Sequence, residues 1–240
     1  MTDKQHHLVE HFAELRRRLL YTLGAYGISL CVCFLFINRI FSFLEAPVPG
    51  RRLTVLGPGE VMHVYFMVAG VCALIATIPF ALWQGWLFVA PALSKELQKV
   101  TLRYLPLVLA MFVLGVAFAW YVVFPMLFSF LVKLGSQQFT ILYTASGYFG
   151  LVAGTVLPLG LFFEMPIVVL FLVRLGIISP RQLIRLRRYA YFVLVVIASM
   201  ISPPEFVSHL SVAIPLILLY EISILVAKWA ARNRLLVDRA

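Results

Sequence analysis

The chain of 240 residues is 62% hydrophobic and 12% charged, with a mean hydropathy of +0.98. A soluble domain carries about a quarter charged residues, so these values exclude an ordinary soluble enzyme, a disordered protein and a disulfide scaffold. The net charge of +10 comes from 20 basic and 10 acidic residues. Because the basic residues lie between long apolar runs, this charge indicates membrane orientation rather than nucleic-acid binding.

Six apolar runs follow one another along the chain. They are, in order, Leu19–Ile37, Val64–Trp83, Tyr104–Val132, Tyr148–Val173, Tyr189–Ile201 and Phe206–Ala227. A helix needs about 20 apolar residues to cross a hydrocarbon core about 30 Å thick, so the first four runs are long enough and the last two are short. A proline pair at Pro203-Pro204 separates the last two runs. We therefore predict an all-α integral membrane protein with six transmembrane helices, the last two short, as a single domain over residues 1–240.

The basic residues are divided unequally between the two sides of these spans. Sixteen of the 20 Lys and Arg residues lie on the side that holds both termini, and 4 lie on the other side. Since cytoplasmic loops are enriched in Lys and Arg, both termini are predicted to be cytoplasmic, with an N-terminal segment at 1–18 and a tail at 228–240. The opposite loop at 44–60 is rich in Pro and Gly, which predicts a structured outer cap.

The sequence carries no motif for an enzyme. It has no Gly-rich phosphate loop, no His spacing that suits a metal and no nucleophile–base set. The three cysteines, Cys31, Cys33 and Cys72, all lie inside apolar runs, which argues against a disulfide framework. We expect no catalysis, no cofactor and no metal.

Two acids lie inside apolar runs. Glu164 is about ten residues from the end of the fourth run, or roughly 15 Å deep, where a charge costs at least ~2.5–3.5 kcal/mol. We expect it to face a concave, water-reachable recess or a partner; the alternative is a protonated acid that serves only packing. Glu221 is nearer the end of the sixth run, where it is either functional or an interfacial acid near Lys228.

Ahead of the first run, Glu14 precedes Arg16, Arg17 and Arg18. Glu14 and Arg18 are i, i+4 neighbours on a helix, so a local ion pair is one interpretation. The other is a carboxylate that accepts an incoming guanidinium. The residues alone do not choose between these two interpretations.

Several short motifs together resemble the TatC family, the polytopic subunit of the twin-arginine protein translocase. They are HFAELRRRL at 11–19, WLFVAPAL at 86–93, GVAFA at 115–119 with FP at 124–125, FEMP at 163–166, SPPE at 202–205, and AIP at 213–215 with YEI at 220–222. Each motif is weak alone, but the ordered set covers nearly the whole chain and is specific.

The resemblance implies a function and a set of partners. Such proteins bind the twin-arginine signal peptides of folded cargo at the cytoplasmic face of the cytoplasmic (inner) membrane. They assemble, in multiple copies, with small single-span subunits of the TatA and TatB type. Transport uses the proton-motive force, and no nucleic acid is involved; membrane lipid surrounds the spans.

The resemblance also assigns residues. It places Glu14, Arg16, Phe88 and Pro91 in the signal-peptide site and makes Glu164 the intramembrane polar residue. Further members of the set are the cap proline Pro47, the span-six acid Glu221, and Glu205 in the outer turn, where Asp is usual.

The loop after Pro91 departs from the family pattern, which places an acid six residues after the proline. That position holds Leu97, and the acid is Glu96. A one-residue shift turns a helical side chain by about 100°, so we expect Glu96 to act only if the loop begins differently.

Two other functions fit an acid in an apolar helix. One is a secondary transporter that uses Glu164 as a proton relay, and the other is a membrane scaffold without cargo. A transporter of the inverted-repeat kind needs matched halves, and we find no internal repeat in the sequence.

Overall fold

The computed structural model describes residues 2–48, 50, 53–89, 105–137, 141–202 and 206–237, and describes side chains for a slightly narrower set that begins at Phe12 and ends at Arg232. The helices are α1 Thr2–Leu35, α2 Ile37–Leu44, α3 Pro58–Val89, α4 Leu105–Phe118, a π-helical segment Ala119–Val123, α5 Phe124–Ser136, α6 Ala145–Phe162, α7 Met165–Arg174, α8 Pro180–Ile201 and α9 Phe206–Val237. The described residues form no strand, and a single bridge joins Thr54 to Thr144. The all-helical prediction is confirmed.

Five stretches are long and apolar enough to cross a membrane. They are Phe12–Leu35, Pro58–Phe88, Pro106–Ser136, Ala145–Arg174 and His209–Arg232. The remaining predicted span corresponds to α8, in which four arginines precede the apolar run. Each predicted run therefore lies in helical structure.

The last two helices are longer than their apolar runs predicted. α8 has 22 residues, because Ser179 and Gln182 form a capping box and Pro180 occupies the first turn, so the helix starts ahead of the arginines. α9 has 32 residues, because it continues past Lys228. The helices are not short, although the uncharged part of α8 is.

The chain divides into two compact units, which are described separately. The first comprises Met1–Leu105 and Tyr143–Gly150, and the second Pro106–Leu142 and Leu151–Ala240. The prediction of a single six-span domain over residues 1–240 stays a prediction.

In the first unit, α1 packs along α3. Small residues Ala69 and Ala73 are fully buried on α3, and Phe34 of α1 meets Phe66 edge-on with ring centroids 5.2 Å apart. Phe41 of α2 packs against Phe149 at 5.2 Å. Aromatic pairs of this kind add about 0.5–1.5 kcal/mol beyond their buried area.

In the second unit, α9 packs against α7 and α8. Its core includes the fully buried Leu216 and Ile224 of α9 and Leu159 of α6. Around the π-helical segment, Trp120 stacks on Phe124 with ring centroids 5.3 Å apart.

The connection from α7 to α8 is closed by its own backbone. Gly176 adopts a φ of 77°, which favours glycine. Its N–H donates to Val173 O at 3.0 Å, and the N–H of Ile177 donates to Leu172 O at 3.0 Å. This is a Schellman motif, and the capping box at Ser179 starts α8 two residues after Ile177.

Candidate functional site

The N-terminal helix α1 carries the first predicted site on an exposed surface. Phe12, Leu15 and Leu19 are all exposed, and they share one helix face, as their i, i+3, i+7 spacing predicts. Glu14 is half-buried, whereas Arg16 and Arg17 are exposed. The carboxylate therefore lies among outward-facing cations.

Glu14 and Arg18 form the local ion pair that their spacing allows. Glu14 Oε1 accepts from Arg18 Nη2 at 2.6 Å and from Arg18 Nε at 3.1 Å. The Arg18 side chain is 21% exposed and that of Glu14 is 32% exposed. The pair is thus partly screened by solvent, and its contribution to stability is modest.

Gln84 of α3 holds the same guanidinium from the other side. Gln84 Oε1 accepts from Arg18 Nη1 at 3.3 Å. Arg18 therefore bridges Glu14 on α1 and a residue 66 positions away on α3. The sequence prediction did not include Gln84, although an amide at the end of an apolar run is a signal that could have found it.

A shallow concavity of about 490 Å³ opens beside this pair. Ala13, Glu14, Arg17, Arg18 and Tyr21 line it, and Arg17 Nε donates to Tyr21 Oη at 2.8 Å. Among the described residues, no donor lies on Glu14 Oε2. An ionised carboxylate that uses one oxygen internally can still accept a charged donor on the other.

The other residues assigned to this site are only partly described. Phe88 is half-buried near the end of α3. Pro91 and Glu96 lie outside the described residues, and so does Glu205 of the predicted outer turn. Their roles stay predictions.

Glu164 lies at a break in the fourth predicted span. α6 ends at Phe162, and α7 begins at Met165 with Pro166 in its first turn. The backbone carbonyl of Glu164 accepts from the N–H groups of Ile167 and Val168, both at 3.0 Å. The helix is therefore re-started at Glu164 by a turn.

The Glu164 side chain is sealed, not solvated. The residue is 4% exposed, and its Oε1 is buried with no hydrogen-bond partner among the described residues. Next to it in the chain, the Phe163 ring packs against that of Phe118, with ring centroids 5.4 Å apart. The expected water-reachable recess is therefore wrong, because the Glu164 residue is 4% exposed. A buried, unpaired carboxyl oxygen costs about 1–3 kcal/mol.

Close packing fixes this break. A Cβ placed on Gly115 of α4 would lie 2.5 Å from Cβ of Phe163, and one on Gly160 would lie 2.9 Å from Val116 Cγ2. Only glycine fits where backbones and side chains approach this closely. The position of Glu164 thus depends on two glycines that the sequence prediction did not assign to the site.

Glu221 of α9 is paired with α8. Its Oε2 accepts from Arg187 Nη2 at 2.6 Å, and its Oε1 accepts from the Tyr191 hydroxyl. Its partners lie 30 and 34 residues away on the neighbouring helix, and the interpretation of an interfacial acid near Lys228 stays a prediction. Both carboxylate oxygens are satisfied within the chain.

The predicted cap is a folded segment (residues 44–60, hereafter the cap segment). Pro47 is half-buried in the turn after α2, where the Val48 N–H donates to Glu45 O at 3.0 Å. The Tyr148 hydroxyl donates to Leu44 O at 2.6 Å. The cap segment is therefore tied to the start of α6.

Glu60 makes the second tie between the cap segment and α6. Its Oε1 accepts from the Ser146 hydroxyl at 2.5 Å and from the Ser146 N–H at 3.2 Å, and its Oε2 accepts from the Leu56 N–H at 2.6 Å. A carboxylate at a helix N-terminus satisfies free N–H groups and the helix dipole. Sequence reasoning missed Glu60, because its partner is 86 residues away.

Other chemistry is limited in the part of the chain that the structure describes. No group of three His, Cys, Asp or Glu residues there could hold a metal ion. All three cysteines are free thiols.

Comparisons with known proteins agree with this architecture. A family profile described as Sec-independent protein translocase protein (TatC) matches residues 10–215. The TatCd translocase protein of Bacillus subtilis (strain 168) is 43% identical over 240 residues, covering 100% of this chain and 99% of its own. The TatC protein of Halalkalibacterium halodurans is 37% identical, covering 97% of this chain and 93% of its own.

A solved structure matches as well. A crystal structure of a twin arginine translocase receptor, TatC, superposes with a TM-score of 0.82 and 32% identity, covering 92% of this chain and 99% of that one. The fold and the sequence together define a polytopic helical membrane protein of protein transport. The chain belongs to the TatC family and is a subunit of the Sec-independent, twin-arginine protein translocase. These relatives are named as protein translocase components, not as secondary transporters.

Proposed function

We propose that the chain recognises the twin-arginine signal peptides of folded cargo through Glu14. The observation that carries this proposal is the Glu14 carboxylate, which uses Oε1 for Arg18 and is 32% exposed beside a concavity on α1. Two consecutive arginines in a peptide present planar donors that suit a carboxylate.

The charge around Glu14 supports selectivity. The exposed Arg16 and Arg17 flank it, and they repel a cationic peptide at every neighbouring position. An isolated negative group in a positive field discriminates by the contrast between attraction and repulsion. Arg16 thus takes part in the site by excluding wrong registers.

The loop after α3 completes the proposed site. Phe88 supplies an apolar contact, Pro91 fixes the loop start, and Glu96 provides the second acid in place of the family position held by Leu97. If this assignment is right, Glu96→Gln weakens peptide binding and Leu97→Ala does not. The reverse pattern would mean that the loop register is wrong.

The proposal also covers the partner subunits in the membrane and the energy source of transport. Single-span subunits of the TatA and TatB type assemble with several copies of this chain in the cytoplasmic membrane, with both termini cytoplasmic. The proton-motive force drives transport of the folded cargo. When the packing around Glu164 rearranges, its Oε1 accepts a hydrogen bond from a polar side chain of a partner helix or of the signal peptide.

Export assays test the role of Glu164. Glu164→Gln should export folded cargo at close to the normal rate, because an amide still forms a hydrogen bond. Glu164→Ala should be clearly slower. An alanine variant that exports at the normal rate would remove Glu164 from the mechanism.

Peptide crosslinking tests the central proposal. Glu14→Ala should reduce binding of a twin-arginine peptide at least tenfold, because loss of a hydrogen-bonded charge pair costs about 2–5 kcal/mol. A twin-lysine peptide should bind weakly to both forms. The charge-matched control is Glu45→Gln, which removes an acid of the cap segment and should leave binding unchanged. Equal binding by the Glu14→Ala protein would refute the proposal.

A further inference from the structure

The four arginines at the start of α8 have different surroundings. Arg187 pairs with Glu221. Arg181, Arg185 and Arg188 are exposed, and within the described part of the chain no carboxylate lies within ion-pair distance of them. Their spacing of four and three residues places them on one helix face. Three cations therefore form a row that no described carboxylate neutralises.

The same face becomes apolar further along α8. Phe192 is 70% exposed, and Val196 is also exposed, and both follow the arginine row at helical spacing. The opposite face buries Leu183 and Ala198. At 1.5 Å per residue, Phe192 lies about 10 Å beyond Arg185 along the helix axis. One outward surface thus changes from three cations to apolar side chains over that distance.

Arg188 marks the boundary between the two parts. Its guanidinium lies 4.9 Å from the centre of the Tyr189 ring, and its Nη2 donates to the Tyr189 hydroxyl at 3.2 Å. Tyrosine is enriched at membrane–water interfaces. Stacking on Tyr189 holds Arg188 along the helix and leaves its other donors for a ligand.

We propose that this face of α8 is a binding site for an anionic phospholipid. Arg181, Arg185 and Arg188 bind the headgroup phosphate, and Phe192 and Val196 contact the acyl chains. Guanidinium groups are well suited to phosphate. Because α8 corresponds to a predicted span, its apolar part lies among acyl chains and the arginine row lies next to them, at the level of lipid headgroups; this position favours a phospholipid over an acidic peptide or a nucleic acid.

The helix terminus does not supply this site. The capping box already occupies the N–H groups of Ser179 and Gln182. The binding energy must therefore come from the arginine side chains. A cation near an anionic surface contributes about fivefold in affinity, so removal of two should weaken binding at least tenfold.

Lipid titration of the purified full chain tests the proposal. The probe is a fluorescent phosphatidylglycerol in mixed micelles, with phosphatidylcholine and inorganic phosphate as separate competitors. We expect Arg181→Gln/Arg185→Gln to bind at least tenfold more weakly. The matched control is Arg39→Gln/Lys133→Gln, which removes the same charge from two other exposed positions and should change affinity less than twofold.

A third variant separates lipid binding from simple anion binding. Phe192→Ser should weaken phosphatidylglycerol binding with all arginines present, and circular dichroism should show unchanged helicity for every variant. An equal loss in the Arg39→Gln/Lys133→Gln control would mean diffuse charge attraction, and full competition by inorganic phosphate would mean a headgroup-independent anion site. Either result, or retained binding in the double arginine variant, would overturn the proposal.

Discussion

Glu164 and Glu221 are both acids within predicted apolar spans of the same compact unit, but their burial and their hydrogen bonding differ. Glu221 has both oxygens satisfied by Arg187 and Tyr191. Glu164 is more deeply buried, at 4% exposure, and its Oε1 has no hydrogen-bond partner in the part of the chain that the structure describes. The carboxyl group of Glu221 therefore has its hydrogen-bonding capacity used by described residues, and that of Glu164 does not.

This difference separates structural from functional acids. At Glu221 the two donors compensate the carboxylate, so removing them would leave a partly buried charge without a partner. The chain loses stability at Glu164, because a buried acceptor without a donor is unfavourable. An unpaired, buried acid of this kind is compatible with the role proposed above for Glu164.

The largest effect should come from disturbing the packing that holds Glu164. Gly115→Ala places a Cβ 2.5 Å from Cβ of Phe163, and such overpacking costs about 1–3 kcal/mol. Thermal unfolding in detergent should show a clearly lower midpoint. The control is Gly154→Ala, where nothing lies within 4 Å of the added Cβ. Similar midpoints for the two variants would mean that the α6–α7 break is loosely packed.

Replacing each acid by methionine should give effects of opposite sign. Glu164→Met removes an unpaired buried oxygen. The free energy of unfolding should stay unchanged or rise by up to about 1–2 kcal/mol. Glu221→Met leaves Arg187 and Tyr191 without their acceptor and should lower it. Chemical denaturation of both variants in one detergent measures the contrast. A loss of stability in Glu164→Met would show that its carboxyl group has a partner after all.

A double-mutant cycle sharpens the account of Glu221. The Arg187 side chain is 41% exposed and that of Glu221 is 32% exposed, so solvent screening limits their coupling to about 1 kcal/mol. Arg187→Gln and Glu221→Gln should each destabilise, and the double variant should cost less than the sum. Additive losses would mean that the two side chains do not interact.

The smallest effect concerns the Glu14 site. One carboxylate oxygen of Glu14 accepts hydrogen bonds from Arg18, so its hydrogen bonding is intermediate between that of Glu164 and that of Glu221. Gln84→Leu removes the 3.3 Å contact to Arg18, a hydrogen bond worth about 0.5–1.5 kcal/mol. Twin-arginine peptide binding should fall by about two- to fivefold, and Gln84→Glu should preserve it by keeping an acceptor. Unchanged affinity in Gln84→Leu would show that Arg18 is positioned by Glu14 alone.

The helical spans could be predicted from the sequence because long apolar runs have few alternatives in a membrane. The ends could not, because they depend on local caps: the Ser179 and Gln182 pair is a readable signal that extends α8 beyond its apolar run. The break at Glu164 was not predicted, since apolar residues continue on both sides of this single acid.

Pairings between helices were the least predictable part of the site. The i, i+4 pair of Glu14 and Arg18 follows from helix geometry, and the structure contains it. The partners of Glu221 and Glu60 lie far away in sequence, and spacing along one helix carries no information about them. Long-range packing decides such pairs.

The link between α7 and α8 has a consequence for how the protein is made. Its hydrogen bonds join residues no more than six positions apart, from Leu172 to Gln182. A turn closed by such local contacts forms within microseconds, far faster than a ribosome adds the next residue. The helical hairpin can therefore adopt its final bend during synthesis, before α9 exists to pack against it, and enter the bilayer as a preformed pair.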